Sequence, residues 1–543
     1  MDGKPAKKAA NAKKYELAYS DVLGRYLVAA KNLSAGEVIF REDALVVGPA
    51  MFANDVFCFG CMRPLPGYLS SKSSKTRYTC SKCGVAALCN RACEDSGLHS
   101  TAECDLLRAK RDVMLENMED LMHTLVHLKL WLVMSAGSDQ DVRERLSKME
   151  AHMNERRGSE VWFEREANVV DVFRRFGLVR SENEAELVQW LCGVLDVNSF
   201  ELRTPVPGSN GNNGSPLLRG IFLEAALMAH ACRGTAHIAV DDRFQMTVYA
   251  AVPIPAGETI AFNYTSSLLG TIERQEHLQV GKYFRCECSM CVDPLEHGSF
   301  VSCILCPRCK KDYVAIQNAR DKDPYGRKTK WQCRKCKRIF RGCLVKSTIE
   351  IGKDLIENVG DGNSKAMESL LVRLSSTFHT NHFVMLTLKQ KVLAVYRKEV
   401  GNLNPQRKIL QKMLEIGKQV VDVLDIVEPG ILLYEMHLPI AILANRSYAS
   451  REITAERLVS CLEESQACLK RSLHMLLLEP ASTPEGMLAK RALQEMKHLA
   501  QNVADARALQ LRQMSTPQED HSSVKKPERR GSHRQSKHRN RTK

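Results

Sequence analysis

No run of apolar residues in this chain is long enough to cross a bilayer. The most apolar stretch, Leu121 to Met134, is broken by His123, His127 and Lys129, whereas a spanning helix needs about 20 consecutive apolar residues. A membrane partner is therefore not expected. The N-terminus also lacks an apolar stretch: Met1-Asp2-Gly3-Lys4 leads into a lysine- and alanine-rich arm, so a secretory signal is not expected. The thiols are then expected in a reducing setting, nuclear and/or cytoplasmic, where closely spaced pairs favour metal over disulfide. No clean 34-residue repeat is present. No base-reading helix follows a CxxC…HxxxH pattern, which argues against sequence-specific DNA recognition.

Cysteine, by contrast, is plentiful: twenty residues, mostly in sets. Between Cys58 and Cys104 the order is Cys58-x2-Cys61, Cys80-x2-Cys83, Cys89-x3-Cys93, then His99 and Cys104. Each CxxC supplies half a tetrahedron, so these eight ligands suffice for two zinc ions. Cys286-x-Cys288-x2-Cys291 closes a tyrosine-bearing segment. Cys306-x2-Cys309 with Cys333-x2-Cys336 reads as a zinc ribbon, with Cys303 and Cys343 as alternative ligands. Cys192, Cys461 and Cys468 are expected to be small buried hydrophobes.

With 543 residues, 44% of them hydrophobic, the chain should hold several domains around a large core. Residues 1–14 read as a flexible basic arm. Strands follow over 15–57, with Tyr26–Ala29, a turn at Ala35-Gly36 and Val38-Ile39-Phe40. The first zinc module covers 58–104 and contains a polar loop from Pro64 to Thr76. Residues 105–195 are helical by pattern, with Leu121, Leu125, Leu128 and Leu132 on one face. Strands return over 196–270, after a glycine-rich loop at 204–215, in Thr247–Val252 and Thr259–Tyr264. The cysteine-closed segment spans 271–300 and the ribbon 301–346. Helices fill 347–512, where Leu410, Met413, Leu414, Val420, Val421 and Leu424 share a face. The fold class is α+β.

The net charge of +15 is uneven: residues 515–543 hold nine Lys/Arg against three Asp/Glu and almost nothing apolar. A disordered tail is expected over 513–543, available for weak nucleic-acid contact, nuclear import or solubility alone.

Six motifs in order carry a family resemblance. Gly24 opens a strand, and the Cys/His module interrupts the fold early. Asn198-Ser199-Phe200 precedes Ala229-His230-Ala231-Cys232, then Gly257-Glu258-Thr259-Ile260-Ala261-Phe262-Asn263-Tyr264, and Phe284-Arg285-Cys286-Glu287-Cys288 closes the series. Together they resemble the SET and MYND family of protein-lysine methyltransferases. The later CPRC…WQCRKC pair, Tyr434–Pro439 and Glu479-Pro480…Pro484-Glu485-Gly486 are similar to its arthropod SmydA branch. The resemblance implies a β-rich SET core with an inserted MYND module and helical insert, a post-SET zinc site, and a C-terminal TPR-like helical domain.

It also implies roles. Cys58, Cys61, Cys89 and Cys93 would share one zinc, and Cys80, Cys83, His99 and Cys104 another. Cys232 would join Cys286, Cys288 and Cys291 on a third, with the ribbon holding a fourth. Tyr264 falls at the catalytic tyrosine. Gly24, Asn198, His230, Asn263 and Phe284 fall around S-adenosyl-L-methionine. The implied activity is methylation of lysine in histone or other proteins, in transcriptional regulation, with proline-containing corepressor peptides as MYND partners. The chain departs from the family at Tyr26, at Ala229 and after Cys232. A second family tyrosine is replaced by Lys282, with Tyr283 offset by one. On a strand that offset turns Tyr283 to the opposite face, and Lys282 is expected to point away or into solvent. These departures give the alternative reading: a silent SET scaffold that recruits corepressors.

Overall fold

Alternating exposure along Tyr15–Ser20 and Gly24–Ala29 makes an antiparallel hairpin, registered from Tyr15 opposite Ala29 to Ser20 opposite Gly24. Gly24 turns the chain with φ +64°, a left-handed conformation that a Cβ disfavours. The computed structural model describes residues 13–51, 55–68, 78–95, 97–135, 139–204, 217–360, 362–401, 404–424 and 429–515. The expected arm over 1–12, most of the loops inside 64–76 and 204–215, and the tail from 516 lie outside them. Lys14, placed in the arm by the sequence reading, is tied down: its ammonium donates to the Val38 carbonyl at 2.6 Å and pairs with Glu37 at 2.8 Å.

Two three-stranded antiparallel sheets follow. One sets Leu217–Ile221 between Val46–Pro49 and Phe200–Arg203; the other sets Gln245–Ala250 between Ala236–Val240 and Val38–Asp43. The expected strand over Thr259–Tyr264 shrinks to Ala261–Phe262, which runs parallel to Ala229–His230. The Thr235 hydroxyl explains the shortening. It donates to the Thr259 carbonyl and accepts from the Ala261 N–H, taking groups a longer ladder would use.

The helical insert packs behind these sheets. Met118–Ser135 is its spine: Leu121, Leu125 and Leu128 are fully buried, and so are Thr124 and His127. A helix apolar nearly all round is one enclosed by protein. Glu182–Asn198 starts at a capping box, with Ser181 and Glu184 each bonding the other's backbone N–H. No helix among the described residues is long and apolar enough to cross a membrane.

Beyond the core, Ile304–Leu305, Tyr313–Ile316, Lys330–Cys333 and Ile339–Arg341 form one antiparallel sheet in chain order. It shares a hydrophobic cluster with the helices that follow, through Trp331, Val345, Ile349 and Leu386. From Ser364–Leu374 to Pro484–Ser515 each helix packs on the next. Serine hydroxyls rivet two of them antiparallel: Ser465 donates to His437 O and Ser472 to Gly430 O, both at 2.7 Å. The turn before the last helix and that helix's first turn reach back to the sheets. Glu479 meets His237 Nε2 at 2.8 Å, and Glu485 accepts from Arg203.

Candidate functional site

Sixteen residues gather into four ligand sets, each with its donor atoms within 4.8 Å of one another: Cys58, Cys61, Cys89 and Cys93; Cys80, Cys83, His99 and Cys104; Cys232, Cys286, Cys288 and Cys291; Cys306, Cys309, Cys333 and Cys336. Four sulfurs bound to zinc at about 2.3 Å stand about 3.8 Å apart. Cys80–Cys104, Cys306–Cys336 and Cys309–Cys333 are each 3.7 Å apart, and Cys232–Cys286 is 3.9 Å. Cys232–Cys291 and Cys61–Cys89 are closer, at 3.4 and 3.2 Å; the sets are close to zinc in size and match it in softness. Cys303 stays out of the ribbon set and turns its sulfur toward the Pro294 carbonyl. Cys192 is fully buried as expected, but Cys461 and Cys468 are only half-buried on their helix, because its apolar stripe runs through Leu458, Leu462, Leu469 and Leu473 instead.

The first two sets interleave because their knuckles touch. A Cβ on Gly60 would lie 2.0 Å from the Cys93 carbonyl oxygen, so only glycine lets the Cys58–Cys61 knuckle seat against the third pair. Phe59, fully buried between the sets, meets the His99 ring edge-on at 5.8 Å. His99 turns Nε2 toward Cys83 at 3.7 Å and Nδ1 toward the Glu103 carboxylate at 2.8 Å. Glu103 is itself buried and 3.4 Å from Lys129. This is a carboxylate–histidine pair of the kind that orients a metal ligand. The sequence reading missed Glu103, although its i,i+4 spacing from His99 across the Ser100 cap was a usable signal.

The third set joins the β core to the segment after it. Arg274 is fully buried beside it, with its guanidinium 3.8 Å from Cys291 Sγ and 3.3 Å from Glu296. A tetrathiolate zinc carries net negative charge, so this cation has a reason to be buried there. Gln275 donates to the Cys286 carbonyl at 2.8 Å and fixes the same loop.

Above that cluster the aromatic residues converge. The parallel pairing of Ala229–His230 with Ala261–Phe262 places His230 5.1 Å from the Tyr264 ring and 5.9 Å from Phe284, with Phe262 6.3 Å from Tyr264. His230 Nδ1 accepts the Tyr264 backbone N–H at 3.1 Å, so its proton sits on Nε2, which faces Cys232 Sγ at 3.4 Å. A ring so committed on both nitrogens serves orientation, not proton transfer. The Tyr264 hydroxyl donates to the Met228 carbonyl, and burial pushes its pKa up to about 12, so it stays protonated at neutral pH. Phe284 keeps 36% of its surface exposed.

The remaining expected residues are mixed. Nothing lies within 4 Å of where a Gly24 Cβ would stand, which leaves room for a ligand. The Asn263 side-chain oxygen Oδ1 is taken by the Thr265 N–H and hydroxyl, both at 2.9 Å. Asn198 donates its amide to the Val194 and Glu150 carbonyls at 2.9 and 2.8 Å. That second bond touches the wall of a cavity of about 370 Å³ lined by Glu150, His152, Asn154 and Trp190. Arg25, next to Gly24, donates to Lys148 on the same segment.

Lys282 overturns its expectation. It is the last residue of the helix Thr271–Lys282, and Tyr283 caps that helix with φ +61°. Strand alternation does not apply there. Tyr283 swings to His152, with rings 4.7 Å apart, while the Lys282 ammonium lies 5.8 Å from the Tyr264 ring centre and donates to Val197 O at 2.5 Å. Burial, then Arg219, pushes its pKa down to about 8. Near it Asp196 is gripped by Arg156, Arg165 and Arg219 at 2.8, 3.0 and 3.2 Å. Burial raises the Asp196 pKa, but the three guanidiniums outweigh that and hold it near about 2. No spacing rule in the sequence marks these four as neighbours.

No protein-family model matches the chain. It is 29% identical over 331 residues to a SET domain-containing protein, SmydA-8 isoform A of Drosophila melanogaster, covering 60% of this chain and 65% of that one. The chain thus spans just under two thirds of that relative's length. It is 22% identical over 280 residues to the histone-lysine N-methyltransferase ASHR1 of Arabidopsis thaliana, covering 49% and 53%. A solved SET domain of LSMT, bound to lysine and AdoHcy, aligns over 94% of both chains at 11% identity and a TM-score of 0.23, too low to carry an argument.

Proposed function

Because the chain is similar to SmydA-like SET-domain proteins, we propose that it methylates lysine side chains of protein substrates, histone or other, with S-adenosyl-L-methionine as donor. One observation carries the reading: His230, Tyr264 and Phe284 form an aromatic enclosure, and the Cys232 ligand set fastens the Phe284 segment beside it. The donor supplies an electrophilic methyl on a cationic sulfonium. The space at Gly24, the Asn263 amide N–H, Asn198, His230 and Phe284 are the groups that would hold it.

The chain's own task is to deliver a neutral, aligned amine, since lysine is ordinarily protonated below about pH 10. The aromatic walls disfavour the ammonium by desolvation and tolerate the methylated cation afterwards. The Tyr264 hydroxyl has committed its proton to Met228. Its oxygen can only accept from the amine, which aims the nitrogen lone pair away from the tyrosine and toward the methyl. Positioning of this kind is the main catalytic lever in an in-line transfer.

A second reading, a silent scaffold whose MYND module recruits proline-containing peptides in transcriptional control, is favoured by Lys282. Two unit charges about 5 Å apart repel by about 3 kcal/mol at an effective dielectric of about 20. A charged Lys282 beside the enclosure therefore opposes a sulfonium. Calorimetric titration of the zinc-replete chain with S-adenosyl-L-methionine separates the readings. Micromolar binding, lost in His230→Ala with zinc content unchanged, supports the enzyme; no heat up to millimolar donor in folded protein removes it.

The same titration tests Lys282. With its pKa near about 8, the ammonium discharges between pH 7 and 9. Asp196 beside it, held low by its guanidiniums, keeps its charge across that window. Binding should tighten as pH rises, and Lys282→Tyr should bind at least about tenfold more tightly at pH 7 with the pH dependence flattened. An unchanged affinity in that variant removes Lys282 from the account.

A further inference from the structure

The ribbon carries charge that methyl transfer does not use. Residues 306–346 contain fourteen Lys/Arg against three Asp/Glu, in a chain whose net charge is +15. All fourteen are exposed. Among the described residues only Arg320 and Lys346 have a carboxylate partner, Glu287 at 3.7 Å and Glu350 at 3.8 Å. A solvated basic face of ordinary design is interleaved with acids; this one is not.

The charge is densest where the two CxxC knuckles meet. Cys306–Cys336 and Cys309–Cys333, each 3.7 Å apart, bring the loops 306–311 and 333–338 together, with seven cations between them and no acid. Two of the cations stand where the backbone asks for glycine. Lys310 has φ +49° and Lys337 φ +57°, the left-handed region that a Cβ disfavours. Glycine would relieve both turns, yet lysine occupies both. Met62 takes the same place after Cys61 with φ +56°, so the knuckle tolerates a side chain there; at both ribbon knuckles that side chain is a cation.

The aromatic residues nearby are packed inward. Trp331 is buried, donates to the Pro324 carbonyl and stacks on Tyr325, while Phe300 and Tyr313 pack around His379. Among the described residues of the ribbon no ring is fully exposed for an unpaired base to stack on. Fixed cations without stacking platforms or a groove-reading helix suit the regular phosphates of a duplex. We propose that the knuckle end of the ribbon docks double-stranded DNA through its phosphates, without reading bases.

Fluorescence anisotropy tests this with the zinc-loaded full chain and a duplex of about 25 base pairs of arbitrary sequence. The logarithm of affinity should fall linearly with the logarithm of salt concentration, with a slope near −0.9 per phosphate neutralised, about −4 to −6 for about five to seven contacts. The variant Lys310→Gly/Lys337→Gly/Arg334→Gln/Lys335→Gln suits the turn geometry, and retention of zinc reports its fold. It should bind at least about tenfold more weakly, with a slope shallower by about 3. Deleting 516–543 should leave most of the affinity. Wild-type binding by the knuckle variant overturns the proposal, as does loss of binding on tail deletion alone. Displacement of the duplex by polyglutamate at equal charge would mean an acidic-protein site instead, and also overturns it.

Discussion

Elemental analysis of the purified chain should return four zinc equivalents, and Cys232→Ser should return three together with complete loss of donor binding. Cys232 is the only ligand of its set contributed by the β core; Cys286, Cys288 and Cys291 follow the helix Thr271–Lys282. Breaking that set releases the segment bearing Lys282 and Phe284. It also strips Arg274 of the negative charge 3.8 Å away at Cys291. Arg274 keeps its pairing with Glu296 at 3.3 Å, so the main loss is the metal's own contribution to folding. Thermal unfolding should therefore shift down, and proteolysis should begin within 283–300. A variant with four zinc ions and an unchanged midpoint would falsify this role for Cys232.

Tyr264→Phe should lower methyl transfer by about 10²–10³-fold, the usual cost of losing one preorganised hydrogen-bonding group at a reacting centre, while zinc content and donor affinity stay close to wild type. The ring contacts with His230 and Phe262 survive the change; only the hydroxyl goes. The Met228 carbonyl loses its donor, which destabilises the fold by about 1 kcal/mol. Single-turnover rates with donor prebound separate that small structural effect from catalysis. A rate within about threefold of wild type would assign Tyr264 to packing.

The four Cys/His clusters were legible in the sequence because a CxxC is a local signal: its spacing brings both sulfurs to one point, where they could share an ion. Pairing the sets was less local, and it depended on resemblance until the Gly60–Cys93 contact supplied a reason. Lys282 went astray for a definite cause. A two-residue period was applied to what is the last turn of a helix, and the change of period near a chain cap cannot be seen from a lone Tyr283. Asp196 and its three arginines come from separate stretches of chain; no pattern within a window reports such a meeting. The helical stack was legible as amphipathic stripes, with Leu410, Met413 and Val420 buried as their spacing indicated.

The Glu479 and Glu485 contacts with His237 and Arg203 have a mechanical side. Glu479 lies before the last helix and Glu485 in that helix's first turn, and they grip strands from two different sheets. The helical stack is thus pinned at two points rather than one, and a swing about either would break the other. Any gap between stack and sheets has its width set before a partner arrives.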